Sequence, residues 1–125
     1  MADAIVSITE RMGTWPNQIK FAWTSDDEGA ASAISPATLN GIVESVTFVP
    51  GAGDDAPSDN YDVTITDMYS VDILHGAGEN RSSSATESIS RSLATALGEV
   101  CNSQVTLNVS GAGANKKGAI YLNLR

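Results

Sequence analysis

The feature that most constrains this chain is a two-residue alternation of apolar and polar side chains. It is clearest in "DNYDVTITDMYSVDIL", Asp59 to Leu74, where Tyr61, Val63 and Ile65 share one face of an extended chain and Asp62, Thr64 and Thr66 share the other. Period two belongs to a strand with one buried face, because successive side chains of an extended backbone point to opposite sides. The pattern resumes at Val71 and Ile73, and Asp67-Met68-Tyr69-Ser70 between them has the length of a tight connection. Residues 60–74 are therefore predicted to form a β-hairpin with Tyr61, Val63, Ile65, Val71 and Ile73 on its buried side.

The same period recurs along the chain. Ile5 to Thr9 and Gln18 to Thr24 read as strands, Gly29 to Ser35 as a weaker one, and Gly41 to Val49 as a strong one that ends at Pro50, whose missing N–H stops a ladder. Val105, Leu107 and Val109 alternate against Thr106, Asn108 and Ser110, and after "GAGANKKG" the positions Ile120, Leu122 and Leu124 resume, which predicts a second hairpin. Phe21 and Trp23, in step with Ile19, are core candidates. The exception is Ser82 to Ser103, where Ile89, Leu93, Leu97 and Val100 recur at helical spacing; a short helix around residues 86–98 or an extended arm both fit it. The expected fold is all-β, an antiparallel β-sandwich of jelly-roll-like type, in one domain spanning 1–125.

Composition narrows the function classes. The 125 residues carry seven basic and fifteen acidic side chains, a formal net charge of -8 that repels phosphate backbones and argues against nucleic acid as a partner. Neutral or basic protein surfaces suit it better. No apolar run reaches the ~18 residues of a membrane span, and Met1 to Ala4 has neither the basic region nor the apolar stretch of a signal peptide. One cysteine, Cys101, and one histidine, His75, offer no disulfide and no Cys/His metal cluster, so no cofactor is expected.

Each candidate site has a plainer reading beside it. Asp54, Asp55, Asp59, Asp62, Asp67 and Asp72 lack the ligand spacing and closing Glu of a calcium loop, and read as turn caps or the wet side of a sheet. His75 with Asp72 is the one acid/base pair to consider, but nothing orients the imidazole. Cys101 has no activating base nearby and reads as a small buried residue, and Ser82-Ser83-Ser84 forms no nucleophile elbow. The glycine tracts "GAGDD", "GAGEN" and "GAGAN" read as turns. No catalytic residue is predicted, and the chain is expected not to be an enzyme. More suggestive are Trp15, outside any clean alternation, and Met68 and Tyr69 at the predicted hairpin tip, since aromatic and Met side chains are enriched at protein contacts. Lys116 and Lys117 at the second tip, and Arg125, are candidate rim charges.

The runs "SDNYDVTITD…VDIL" followed by "GAGENR", and "VTLNVSGAGANKKGAIYLNLR", resemble a group of small tailed-bacteriophage virion proteins, whose strand enters as P-x-D-N-Y-D-V-T-L-T-D and whose final hairpin ends in a basic residue. The resemblance covers Ile42 to Arg81 and Val105 to Arg125. It implies a non-enzymatic β-sandwich that works in a symmetric assembly, a capsid cement or decoration protein that oligomerises and contacts the major capsid protein in the virion, with a neck, collar or tail component as the structural alternative. This chain departs from the group at the turn, which holds Met68-Tyr69-Ser70 in place of an Asp/Gly-rich sequence, and in the longer, more apolar segment Ala85 to Gln104. A reading of another class is a host-surface glycan-binding module, with Trp15 and Tyr69 stacking on sugars.

Overall fold

The computed structural model describes residues 4–11, 17–36, 38–90 and 97–125. Nine strands are described: β1 Ile5–Arg11, β2 Asn17–Thr24, β3 Ala31–Ile34, β4 Leu39–Pro50, β5 Asp62–Thr66, β6 Glu87–Ser90, β7 Val100–Ser103, β8 Thr106–Ser110 and β9 Lys117–Leu124, with a short 3₁₀ turn at Gly53–Asp55. Every pairing is antiparallel. One sheet runs β1-β2-β9-β4-β6, with β7 also on β4, and the other runs β3-β8-β5. The fold is the expected antiparallel β-sandwich.

Alternation in the sequence becomes the sandwich interior. Ile19, Phe21 and Trp23 of β2, Val46 and Phe48 of β4, Val63 and Ile65 of β5, Leu107 and Val109 of β8, and Ile120, Leu122 and Leu124 of β9 all join one buried cluster. Trp23 and Tyr61 anchor it from the two sides, with ring centroids 5.6 Å apart and planes tilted by 52°. A tilted pair at this distance contributes about 0.5–1.5 kcal/mol beyond its area burial. Gly118, opposite Trp23 in the ladder, lets the indole lie on the backbone of β9.

Both predicted hairpins are corrected. The return arm after β5 is only a bridge, Thr66 to Asp72, followed by successive turns through Glu79, and β5 pairs with β8 instead. Ile73 is fully buried as expected, but Val71 is 39% exposed. The carboxy-terminal pair separates entirely: β8 lies between β3 and β5, whereas β9 lies between β2 and β4 of the other sheet. "GAGANKKG" is thus an arch between sheets. Its fully buried Ala112 and the bonds Ser25 Oγ to Gly113 O (2.6 Å) and Lys116 N to Ser25 Oγ (2.8 Å) hold it down. Alternation identifies a strand with one buried face, and each strand of a sandwich has one; which neighbour completes its ladder is decided by the facing layer.

The helical expectation over residues 86–98 fails at its start. Glu87–Ser90 is strand, paired with Phe48 to Ser45 of β4, and Val100–Ser103 is strand, paired with Ile42 to Leu39. Positions 91–96, Leu93 among them, lie outside the described residues. Because β6 and β7 pair with consecutive stretches of β4, they lie along one edge of it, with Ser90 opposite Ser45 and Val100 opposite Ile42. There β4 shifts register by one residue, at Glu44. Glu87 Oε1 accepts from Ser82 N at 2.8 Å.

Candidate functional site

The aspartates of the opening stretch are committed to backbone. Asp67 closes the turn after β5: its Oδ1 accepts from Tyr69 N at 2.8 Å and Val71 N at 3.1 Å, Asp67 N donates to Val71 O at 3.0 Å, and Ser70 takes a positive φ of 62°. Asp72 holds the next turn, accepting from Ile65 N and Leu74 N through Oδ1 and from Gly76 N through Oδ2, at 3.2, 3.1 and 3.0 Å. Asp62 and Asp59 accept from Asn80 N (2.9 Å) and Ser83 N (3.1 Å). The bonds of Asp67 and of Asp72 to Leu74 and Gly76 are the Asx-type caps that the residue type allows, whereas those of Asp62 and Asp59 tie separate segments together. Among the described residues, no three His, Cys, Asp or Glu side chains gather where they could hold a metal ion.

His75 does not meet Asp72 in an acid/base pair. Its Nε2 lies 2.9 Å from Glu99 Oε2, on a surface where both side chains are well exposed, and Asp72 is occupied by backbone. Cys101 is buried, and burial pushes its thiol above the ordinary value, outweighing a lowering by the backbone hydrogen bond to Ser103, while the nearby Asp67 carboxylate adds a smaller rise. Such a thiol stays protonated at neutral pH, the opposite of an activated nucleophile.

What the locked turn does present is apolar. Met68 is 65% exposed and Tyr69 76% exposed. Beneath Met68 lies an open groove of about 440 Å³, lined by Ile34, Asp67, Met68, Asn102, Ser103 and Gln104 among others. Ile34, the last residue of β3, is 63% exposed at its wall. The groove exists because two sheet-crossing connections meet there. Ser35 Oγ accepts from Val105 N at 3.0 Å, Gln104 Nε2 donates to Ser35 O at 2.9 Å, and Ser103 Oγ accepts from Met68 N at 3.2 Å while donating to Gln104 O at 2.8 Å. The turn is therefore tied to the groove's floor through the bond from Met68 N to Ser103 Oγ.

The other residues singled out from sequence divide between the ends of the sandwich. Arg125 is exposed at the end of β9, and its backbone exchanges hydrogen bonds with Ile42, at 2.8 and 3.0 Å. Lys116 and Lys117 lie at the other end of that strand, about 26 Å or more away at ~3.3 Å per residue. Lys116 Nζ donates to Asp54 O at 2.8 Å, and Lys117 opens β9 opposite Thr24. Neither lysine, nor Arg125, is among the residues that line the Met68 groove. Trp15 lies outside the described residues. Sequence reasoning missed Ile34, Asn102 and Ser103, since an Ile before Ser-Pro and a short uncharged strand carry no signal of a shared groove.

No family model matches the sequence, and no curated protein matches it. Among solved structures, a carbohydrate-binding module of the β-sandwich superfamily is similar, with a TM-score of 0.39 and 12% sequence identity over 98% of this chain. The present chain spans 53% of that structure's length.

Proposed function

We propose that this chain is a non-enzymatic structural protein of a tailed-bacteriophage virion, a capsid cement or decoration protein that docks on the major capsid protein through the Asp67–Ser70 turn and its groove. The observation that carries the reading is the turn itself. Two large apolar side chains stand in water on a backbone held by Asp67 and Ser103, at the position where the virion group carries a polar turn. Exposed Met and aromatic side chains of this kind cost solubility and are used at protein contacts. A cement protein binds through modest contacts repeated across a lattice, so one anchor per copy is multiplied by avidity.

Purified particles encoding the protein test this. Hundreds of copies per particle, reduced about tenfold or more by Met68→Ser with Tyr69→Ser, support a capsid role. Six or twelve copies move the protein to the neck or tail. Absence from the particle refutes the virion reading, and selective binding on a glycan array that is lost with Tyr69→Ser replaces it with a host-surface module.

A further inference from the structure

Sheet edges are templates for another strand, and proteins ordinarily guard them. Here the guards can be read edge by edge. The outer side of β5 is covered by the chain that follows it, through Ile73 N to Ile65 O, Val63 N to Gly78 O and Arg81 N to Tyr61 O, each 2.8 Å. The edge strand β1 carries Glu10 opposite fully buried Ile19, an inward-pointing carboxylate that a further strand would bury more deeply. β6 carries the charged Glu87, and β3 runs beside β1 of the facing sheet. The strand β7, Val-Cys-Asn-Ser, has none of these: no charge, no proline and no bulge.

The direction of its backbone groups follows from the ladder. Val43 N donates to Glu99 O at 3.0 Å, whereas Ile42 turns both its N–H and its carbonyl to Arg125, away from β7. Hydrogen-bonded and non-hydrogen-bonded pairs alternate in an antiparallel ladder. Gly41 with Cys101 is therefore a hydrogen-bonded pair, and Ile42 with Val100 and Asn40 with Asn102 are not. The N–H and carbonyl groups of Val100 and Asn102 point outward from the sheet, and among the described residues none of them has a backbone partner. Val100 is also 65% exposed.

We propose that the chain self-associates by antiparallel pairing of β7 with β7 of a second copy, about a twofold axis through Cys101. In that register Val100 faces Asn102 of the other copy and Asn102 faces its Val100, and each pair exchanges both N–H and carbonyl, so every outward group finds a partner. The edge is its own complement, which is why a second copy is the occupant. Glu99 faces Ser103, and no like charges are opposed despite the net charge of -8. Residues 97–99 of the second copy run past Ser103 and Gln104, two residues lining the groove under Met68. The two large sheets then form one continuous sheet about a twofold axis, the symmetry commonest among homo-oligomers.

A four-residue strand buries little area, so the association is expected to be weak, with a Kd of roughly 10–100 μM. Sedimentation of the whole chain across that range reads it directly. Asn102→Pro is the decisive variant, because the N–H it removes is not used in the β4 ladder and proline is accepted on an outward edge position. The expected result is a fall in association of at least about tenfold with the circular dichroism spectrum retained. Hydrogen exchange on the unmodified protein is the second measurement, with the amides of Val100 and Asn102 gaining protection as concentration rises. A chain that stays monomeric to ~1 mM overturns the proposal. So does a dimer that survives Asn102→Pro, or one in which those two amides exchange freely. The pairing does not depend on a virion role: absence from particles would leave it standing, and a monomeric chain would leave the cement reading standing.

Discussion

Gly118→Ala is the most informative single perturbation of this fold. The glycine has an ordinary extended φ, so the penalty is steric rather than conformational. A Cβ there would lie 2.5 Å from Trp23 Cζ2, 2.7 Å from Cε2 and 3.0 Å from Nε1. Ordinary carbon contacts begin near ~3.5 Å, so the indole must withdraw by roughly 1 Å. It has nowhere to go, since Trp23 is fully buried and lies against Tyr61 in the opposite sheet. Overpacking of this kind costs about 1–3 kcal/mol, offset by about 0.4–1 kcal/mol because alanine restricts the unfolded chain. A net loss of about 1–2 kcal/mol is expected. Guanidinium unfolding followed by tryptophan fluorescence measures it, and Gly53→Ala is the control. Gly53 has open space around its missing Cβ but a φ of +61°, so its cost is confined to about 1 kcal/mol of left-handed strain. If Gly118→Ala falls within about 0.5 kcal/mol of the parent protein, or costs less than Gly53→Ala, the claim that β9 is pressed against the indole is wrong.

Tyr61→Phe should be neutral or stabilising by up to about 1 kcal/mol, because the phenol oxygen is buried and has no hydrogen-bond partner among the described residues. Burial, helped by the Glu87 charge, pushes the Tyr61 pKa up to about 12. A raised pKa gives stability that is complete below the unfolded value of 10.0 and is lost as pH climbs toward 12, so the phenylalanine variant should show a shallower alkaline decline in thermal melts between those values. Asp26 behaves oppositely: hydrogen bonds from the backbone of Ala30 and Glu28 hold its carboxyl below the usual 3.8. Its contribution is present above 3.8 and disappears as pH falls further, and a carboxylate titration by NMR with a midpoint at or above 3.8 would contradict this. Asp72→Ala frees three backbone donors at the start of the turns that cover β5, and should cost about 1–3 kcal/mol in denaturant unfolding, whereas Tyr69→Ser, with its side chain in solvent, should stay within about 0.5 kcal/mol.

Period-two alternation was enough to determine the class of the fold and most of its interior. Ile19, Phe21, Trp23, Val63, Ile65, Leu107, Ile120 and Leu122 are buried as their spacing requires, because an extended backbone has only two faces and one must leave water. The aspartates were legible too, since a short carboxylate in a turn sequence has backbone N–H groups within reach whatever surrounds it. Local chemistry also placed Met68 and Tyr69 in solvent. Pairing was not local. Both predicted hairpins opened because β5, β8 and β9 find their ladders across 40 or more residues or in different sheets, and only burial against the facing layer selects among such partners. The helical spacing of Ile89 and Leu97 misled for the same reason. Strands β6 and β7 share an edge on β4, and that edge exists only once the sheet has formed. The groove under Met68, assembled from β3, β7 and the turn after β5, and the outward backbone of Val100 and Asn102 likewise belong to the tertiary structure alone. They depend on which side of each strand is already hydrogen-bonded, and no side chain in the sequence records that.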